Sequence, residues 1–263
     1  MVTGTMVGLG YGCAICSTYI TTRQGDQTLV WGCALWTEGR SEGTWSAGTG
    51  GDGPYSKDGK RFILADEPGV RATQWLADLS CKYGVAPDSA TLRQQSVLQL
   101  FTSGRLGFFY GNCGQAVNFR RVIKDFRWDV GPMPAGPSGK NLNNVSLVGM
   151  CLPTSSKNPD WAWRFLEFVM EDELQRIIAA NAFIPSKIKQ AELFLAPGQP
   201  PKNQRLFIEG MGYSQIDNFT ENTEEARLIF APEMQAVVDC KEPAKAVLER
   251  IRPKVEAALQ GRT

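Results

Sequence analysis

The chain has 263 residues, enough for one large domain or two small ones around a sizeable core. Its 28 Lys and Arg offset 27 Asp and Glu to leave a net charge of +1, which removes any electrostatic argument for nucleic acid or an anionic membrane surface. With no histidine, it lacks the commonest general base, the commonest zinc ligand and every Ser-His or Cys-His nucleophile pair. Residues 1–25 show no clean period and are read as irregular. They carry no early Lys or Arg and are interrupted by glycine, so they do not read as a signal peptide. TLVWGCALW (28–36) is rich in β-formers and predicts a buried strand. The loop after it is full of Gly and Ser and contains Trp45 and Tyr55, which are either pinned beneath it or displayed to a ligand.

Asp66 as N-cap, Pro68 in the first turn and Ala72, Trp75, Leu76, Leu79 and Tyr83 at helical spacing predict a helix from about 67 to 83, stopped by Gly84. A second helix is expected from about 89, capped by Ser89, to about 103. GRLGFFYGN reads as a buried strand entering a turn, followed by a short helical stretch; RWDVGPMP and VSLVGMCLP read as further strands. Asn158, Pro159 and Asp160 open a helix whose Trp161, Phe165, Leu166 and Val169 form an apolar face. More helices are expected at about 171–181, 187–195, 203–212 and 222–238. A last one from Pro243 should turn Val247, Leu248, Ile251 and Val255 inward and be kinked by Pro253. The order suits an α/β sheet domain padded by helices.

The seven cysteines, at 13, 16, 33, 81, 113, 151 and 240, are odd in number and scattered, and are read as mostly small buried hydrophobes rather than a disulfide framework. Cys13 and Cys16 form a single C-x-x-C, too little for a metal or redox site. No phosphate-cradling loop satisfies its structural context. The acids read as helix caps and solvated faces; Asp129 comes nearest to an isolated candidate for carboxylate-dependent glycoside chemistry, and Cys113 is the alternative nucleophile. No catalytic residue, cofactor or metal is assigned. Tyr110, Gly111 and Asn112 lie where a buried strand ends, the position at which open α/β sheets receive ligands. Tyr supplies a flat face and a hydroxyl, and Asn a donor and an acceptor, a mix that suits a sugar; equally, Tyr110 closes the core and Asn112 shapes the turn.

The ordered run DGKRFILADEPGVRATQWLADLSCKYGVAPDSA, LFTSGRLGFFYGN, FRWDVGPMPAGPSG, VGMCLPTSSKNPDWAWRFLEFVM, AFIPS and PPKNQRLFIEG resembles the extracellular solute-binding proteins of family 1, the sugar receptors of ABC importers, over about residues 26–260. The resemblance implies the two-lobed periplasmic-binding-protein fold of type II, with a carbohydrate held between the lobes and permease subunits as partners, in the periplasm or outside the cell. It implies no enzyme and no nucleic acid partner. It divides the chain into an irregular segment (1–25), the α/β core of the C-terminal lobe (26–148), a crossover strand and helices of an incomplete N-terminal lobe (149–205), and C-terminal helices packing back on the C-terminal lobe (206–263). Ligand contacts carried over by position are Trp36, Trp45, Tyr110, Asn112, Phe183 and Pro185. Two departures stand out. The hundred or so residues with which the family builds most of its first lobe have no counterpart ahead of residue 26. The family's Gly-Gly-Arg-Trp-like turn is Gly111–Asn112–Cys113–Gly114 here, without the stacking Trp. A chain of this kind is expected to expose apolar surface and to associate.

Overall fold

The computed structural model describes residues 17–35, 53–132, 143–144, 149–181, 183–215 and 220–262. Residues 17–20 are helical, and β1 (Thr22–Gln24) pairs antiparallel with β2 (Gln27–Ala34), so the described end of the segment read as irregular is regular. β2 pairs in parallel with β3 (Leu106–Phe109), with Trp31 opposite Leu106 and Ala34 opposite Phe109. Parallel strands need a long crossover. Here it includes α1 (Glu67–Cys81), α2 (Ser89–Gln94) and α3 (Val97–Thr102).

The single helix expected over 89–103 is two, because the chain breaks at Gln95–Ser96. Asp88, not Ser89, caps α2 by accepting from Thr91 N–H, and Ser96 begins α3 with a reciprocal capping box to Gln99. Capping residues so placed favour a restart over a continuous helix. α1 forms as expected, with Pro68 in its first turn and Gly84 just beyond its end at φ +59. Gly69 is required for close approach, since a Cβ there would strike the Leu64 carbonyl.

After β3 come α4 (Cys113–Val122), the two-residue strand β4 (Asn143–Asn144), α5 (Pro159–Val169) and α6 (Asp172–Asn181). Then follow α7 (Leu206–Glu209), β5 (Ser214–Gln215), α8 (Thr223–Val238) and α9 (Ala244–Leu259). The strand expected in RWDVGPMP is reduced to a lone bridge position at Trp128 among its described residues. Of VSLVGMCLP, residues 145–148 lie outside the described residues, and 149–153 are not strand. The helices expected at 187–195 and 203–212 are mostly 3-10 turns, at Ile188–Phe194 and Gly210–Tyr213, with only α7 between them. Pro253 does not interrupt α9.

The largest apolar cluster joins α8 and α9 to α1. Phe62 and Phe230 stack at 5.4 Å, with Tyr55 edge-on to Phe230, and Val247, Leu248 and Val255 are fully buried against them. Tyr55 is thus packed into this cluster, not displayed. Arg252 pairs with Asp66, tying α9 to the start of α1. A disulfide between Cys81 and Cys240, Cα atoms 5.6 Å apart, joins the end of α1 to the residue pair following α8. This corrects the reading of the cysteines: spacing along the chain carries no signal for a pair 159 residues apart. Cys33 is buried as expected, but Cys113 is half-buried and Cys151 is exposed.

The expected apolar face of α5 does form a stripe, but the fold leaves it open. Trp161 and Phe165 are 69% and 54% exposed, and no residue of α5 is buried. Among the described residues, no helix is long and apolar enough to cross a membrane.

Candidate ligand site at the end of the parallel strands

The parallel pairing carries β2 and β3 in the same direction, so their carboxyl ends emerge side by side. Tyr110 N–H donates to the Ala34 carbonyl at 3.2 Å, which fixes the start of the β3–α4 turn against the last residues of β2. Gly111 makes the turn possible: a Cβ there would collide with the Phe109 ring and the Gln115 amide. Asn112 then caps α4. Its Oδ1 accepts from Gln115 N–H at 3.2 Å while Gln115 Oε1 accepts from Asn112 N–H at 2.8 Å, a reciprocal box that locks both side chains.

Tyr110 is half-buried and packs on the cluster of Cys33, Leu35, Ala72, Leu76 and Leu79. Its ring therefore closes the core on one side. Cys113, the first residue of α4, sits half-buried, and burial pushes its thiol up from its ordinary range despite a counteracting hydrogen bond from the Ile184 backbone. That contact brings the turn after α6 to the start of α4. Arg121 donates to Asn181 Oδ1 at 2.8 Å and holds the same two helices together. In the turn itself Phe183 is exposed and Pro185 buried. The structure thus brings the Ile184 backbone, between Phe183 and Pro185, to Cys113, which follows Tyr110 and Asn112 at the start of α4, whereas Trp36 and Trp45 lie outside the described residues. The Cys113–Ile184 contact joins two segments 71 positions apart, and sequence reading had no signal for it.

The acids considered for chemistry have structural duties. Asp129 Oδ1 accepts from Asn203 N–H and Oδ2 from Asn203 Nδ2, at 2.9 and 3.0 Å, so both its oxygens fasten the segment before α7. No group of three His, Cys, Asp or Glu that could hold a metal occurs among the described residues. Two surface cavities, of about 490 and 370 Å³, lie elsewhere: one between Asp58, Lys60, Asn222 and Arg262, the other between Arg120, Lys124, Phe194 and Gln199.

The family model for bacterial extracellular solute-binding proteins matches residues 16–193, more than half of the chain and the whole of this site. The chain belongs to that family. Solved structures with the same fold include an ABC substrate-binding protein of Listeria monocytogenes in complex with cycloalternan. It is 16% identical with a TM-score of 0.82, over 99% of this chain and 65% of that one. The maltose/maltodextrin-binding domain of Bdellovibrio bacteriovorus, bound to maltotriose, is 15% identical with a TM-score of 0.74, over 97% of this chain and 68% of that one. A Mycobacterium tuberculosis protein in complex with glycerophosphocholine is 10% identical with a TM-score of 0.71, over 98% of this chain and 65% of that one. Nearly the whole chain therefore follows the periplasmic-binding-protein fold, while spanning about two thirds of these proteins' length. A separate match, 32% identical over 82 residues to a 3-hydroxyanthranilate 3,4-dioxygenase of Aspergillus clavatus, covers 29% of this chain and 41% of that protein, too little to bear on the family.

Proposed function

We propose that this protein is the ligand-binding component of an ABC-type importer and takes a carbohydrate at the carboxyl ends of β2 and β3. The observation that carries this is the contact of the turn at Ile184 with Cys113, next to Tyr110 and Asn112 on the edge where parallel strands end. The cycloalternan and maltotriose complexes of the structural relatives support the ligand class. Trp36 and Trp45, carried over from the family resemblance, are proposed as further ligand contacts. In this reading residues 26–148 and 206–263 build one lobe and 149–205 contribute to the other. Permease subunits are the partners that a receptor of this class serves. The Cys81–Cys240 disulfide supports a periplasmic or extracellular setting, because such bonds persist in oxidising compartments.

The test is calorimetric titration of the folded chain with maltotriose, a cyclic glucan, tagatose and glycerophosphocholine. Saturable binding of a sugar is expected, weakened about tenfold by Tyr110→Ala. A folded chain that binds none of the four sinks the proposal, and binding of glycerophosphocholine alone replaces the ligand class. A second reading, a lobe that binds nothing small, draws on the structural employment of Tyr110 in the core and Asn112 in the cap. The same titration decides between them.

A further inference from the structure

The turn that follows α6 is attached to α4 at two points. Asn181 closes α6, and its Nδ2 donates to the Ile177 carbonyl one turn back, at 2.9 Å. That bond turns its Oδ1 toward α4, where Arg121 Nη2 donates to it at 2.8 Å. Three residues on, the Ile184 backbone donates to the sulfur of Cys113, the first residue of α4. Cys113 and Arg121 stand about 12 Å apart along the helix, and the chain from Asn181 to Ile184 reaches about 10 Å. The turn therefore runs along α4 in the opposite direction, fastened at the Arg121 end and at the Cys113 end. Arg120, the neighbouring cation, is spent elsewhere. Its Nε donates to the Pro200 carbonyl and its Nη2 to Gln204 Oε1, both at 2.8 Å, on the segment that comes after the turn. A cation in the last turn of a helix is favourable on dipole grounds alone, and Arg120 already meets that need. The dipole does not aim Arg121 at the residue two positions before Phe183.

We infer that Arg121 is a positioning residue for the ligand site: by holding Asn181 it fixes the Phe183–Pro185 turn against Cys113, and so the surface the turn offers a sugar beside Tyr110 and Asn112. This rests on the carbohydrate reading of that site. Arg121 lies at the far end of α4 from Asn112, about 13 Å along the helix, and touches no ligand there. Without it the turn keeps only its tie to Cys113. A ligand must then order the turn as it binds, which lowers affinity without removing a contact. The same geometry supplies a reporter. Cys113 is half-buried with the Ile184 backbone on its sulfur, so a turn that lifts away uncovers the thiol.

The experiment compares the folded 263-residue chain with Arg121→Ala, Asn181→Ala, the double variant and Arg121→Lys. One readout is the rate of Cys113 alkylation by iodoacetamide at fixed pH, resolved by peptide mapping. The other is calorimetric affinity for maltotriose, a cyclic glucan or tagatose, whichever the parent takes. Each alanine variant should speed alkylation about fivefold and weaken sugar binding about threefold to tenfold, and the double variant should do no more than either. Arg121→Lys, which can still donate to Asn181, should recover most of both. Urea midpoints should stay with the parent, since the pair is exposed. Alkylation at the parental rate in both alanine variants overturns the inference, because the turn then needs no Arg121. So does faster alkylation with unchanged sugar affinity, which leaves the pair a tie of no consequence for ligand, and so do additive effects in the double variant. A parent that takes no sugar removes the reading on which the inference rests, and that failure shows in the parent rather than in the variants.

Discussion

α9 and α5 begin from similar sequence signals and end in opposite places. Each opens at a proline, Pro243 just before α9 and Pro159 as the first residue of α5, and carries an apolar set at helical spacing. In α9 that set, Val247, Leu248, Ile251 and Val255, is at most 3% exposed; in α5 Trp161, Phe165 and Phe168 are at least half exposed. The difference is what lies opposite. α9 has α8, α1 and the Phe62–Phe230 stack to pack against, whereas in α5 Ala162, Leu166 and Val169 are half-buried and every other residue is exposed. Periodicity announces that a face is to be covered; only the fold reveals whether the cover is present.

The sharpest way to break the contrast is to loosen the well-packed side. The Cys81–Cys240 bond closes a span of 159 residues, for which chain-entropy reasoning gives about 5 kcal/mol as an upper figure. Reduction, or Cys81→Ser with Cys240→Ser, should lower the urea midpoint of the α1–α8–α9 unit strongly. A midpoint unmoved by dithiothreitol would mean that packing alone holds these helices. Next in size, Leu248→Ala leaves a cavity at a fully buried site and should cost about 2–5 kcal/mol. Trp161→Ala, on the uncovered helix, should change monomer stability by no more than about 0.5 kcal/mol. If the two truncations cost the same, α5 is covered in solution after all.

A smaller effect separates packing from binding at the start of α4. Asn112→Ala removes the cap and should cost about 1 kcal/mol. Gln115→Ala removes the other half of the box without touching a residue proposed to meet ligand. Equal loss of stability in the two, with sugar affinity falling only for Asn112→Ala, is the expected pattern. An equal loss of affinity would reduce Asn112 to a shaper of the turn.

The same contrast explains what could be read in advance. Signals confined to one element were legible: Pro68 at the start of α1, the β-rich run of β2, and the inward set of α9; Asp66 holds the N-cap position without a capping hydrogen bond, its carboxylate going to Arg61 and Arg252. The strand-end position of Tyr110 and Asn112 was legible for the same reason. Partnerships between distant segments were not. The Cys81–Cys240 bond, the Cys113–Ile184 contact and the use of Asp129 by Asn203 each join residues whose spacing says nothing of their meeting. RWDVGPMP has strand-like composition, yet its described residues are not paired as a strand, which shows β-propensity yielding to context.

The smallest effect expected lies beside the disulfide, where the packed unit meets solvent. Asp239 is held down to about 2 from an ordinary 3.8, first by the Ser89 hydroxyl, then by Lys241 and Gln235. Gln235 donates to both Asp239 and Ser89, so the carboxylate helps fasten the end of α8 to the start of α2. Because the folded-state value lies below the ordinary one, unfolding takes up a proton between about pH 4 and pH 2. The contribution of Asp239 is complete above that window and is lost as pH falls through it. Urea midpoints from pH 5 to pH 2 should therefore fall less steeply for Asp239→Asn than for the wild type. The Asp239 side chain is 17% exposed, but its Lys241 partner is 70% exposed, so solvent screening keeps the difference small. Parallel curves would show that the Ser89–Gln235 contact fastens α8 to α2 without the charge.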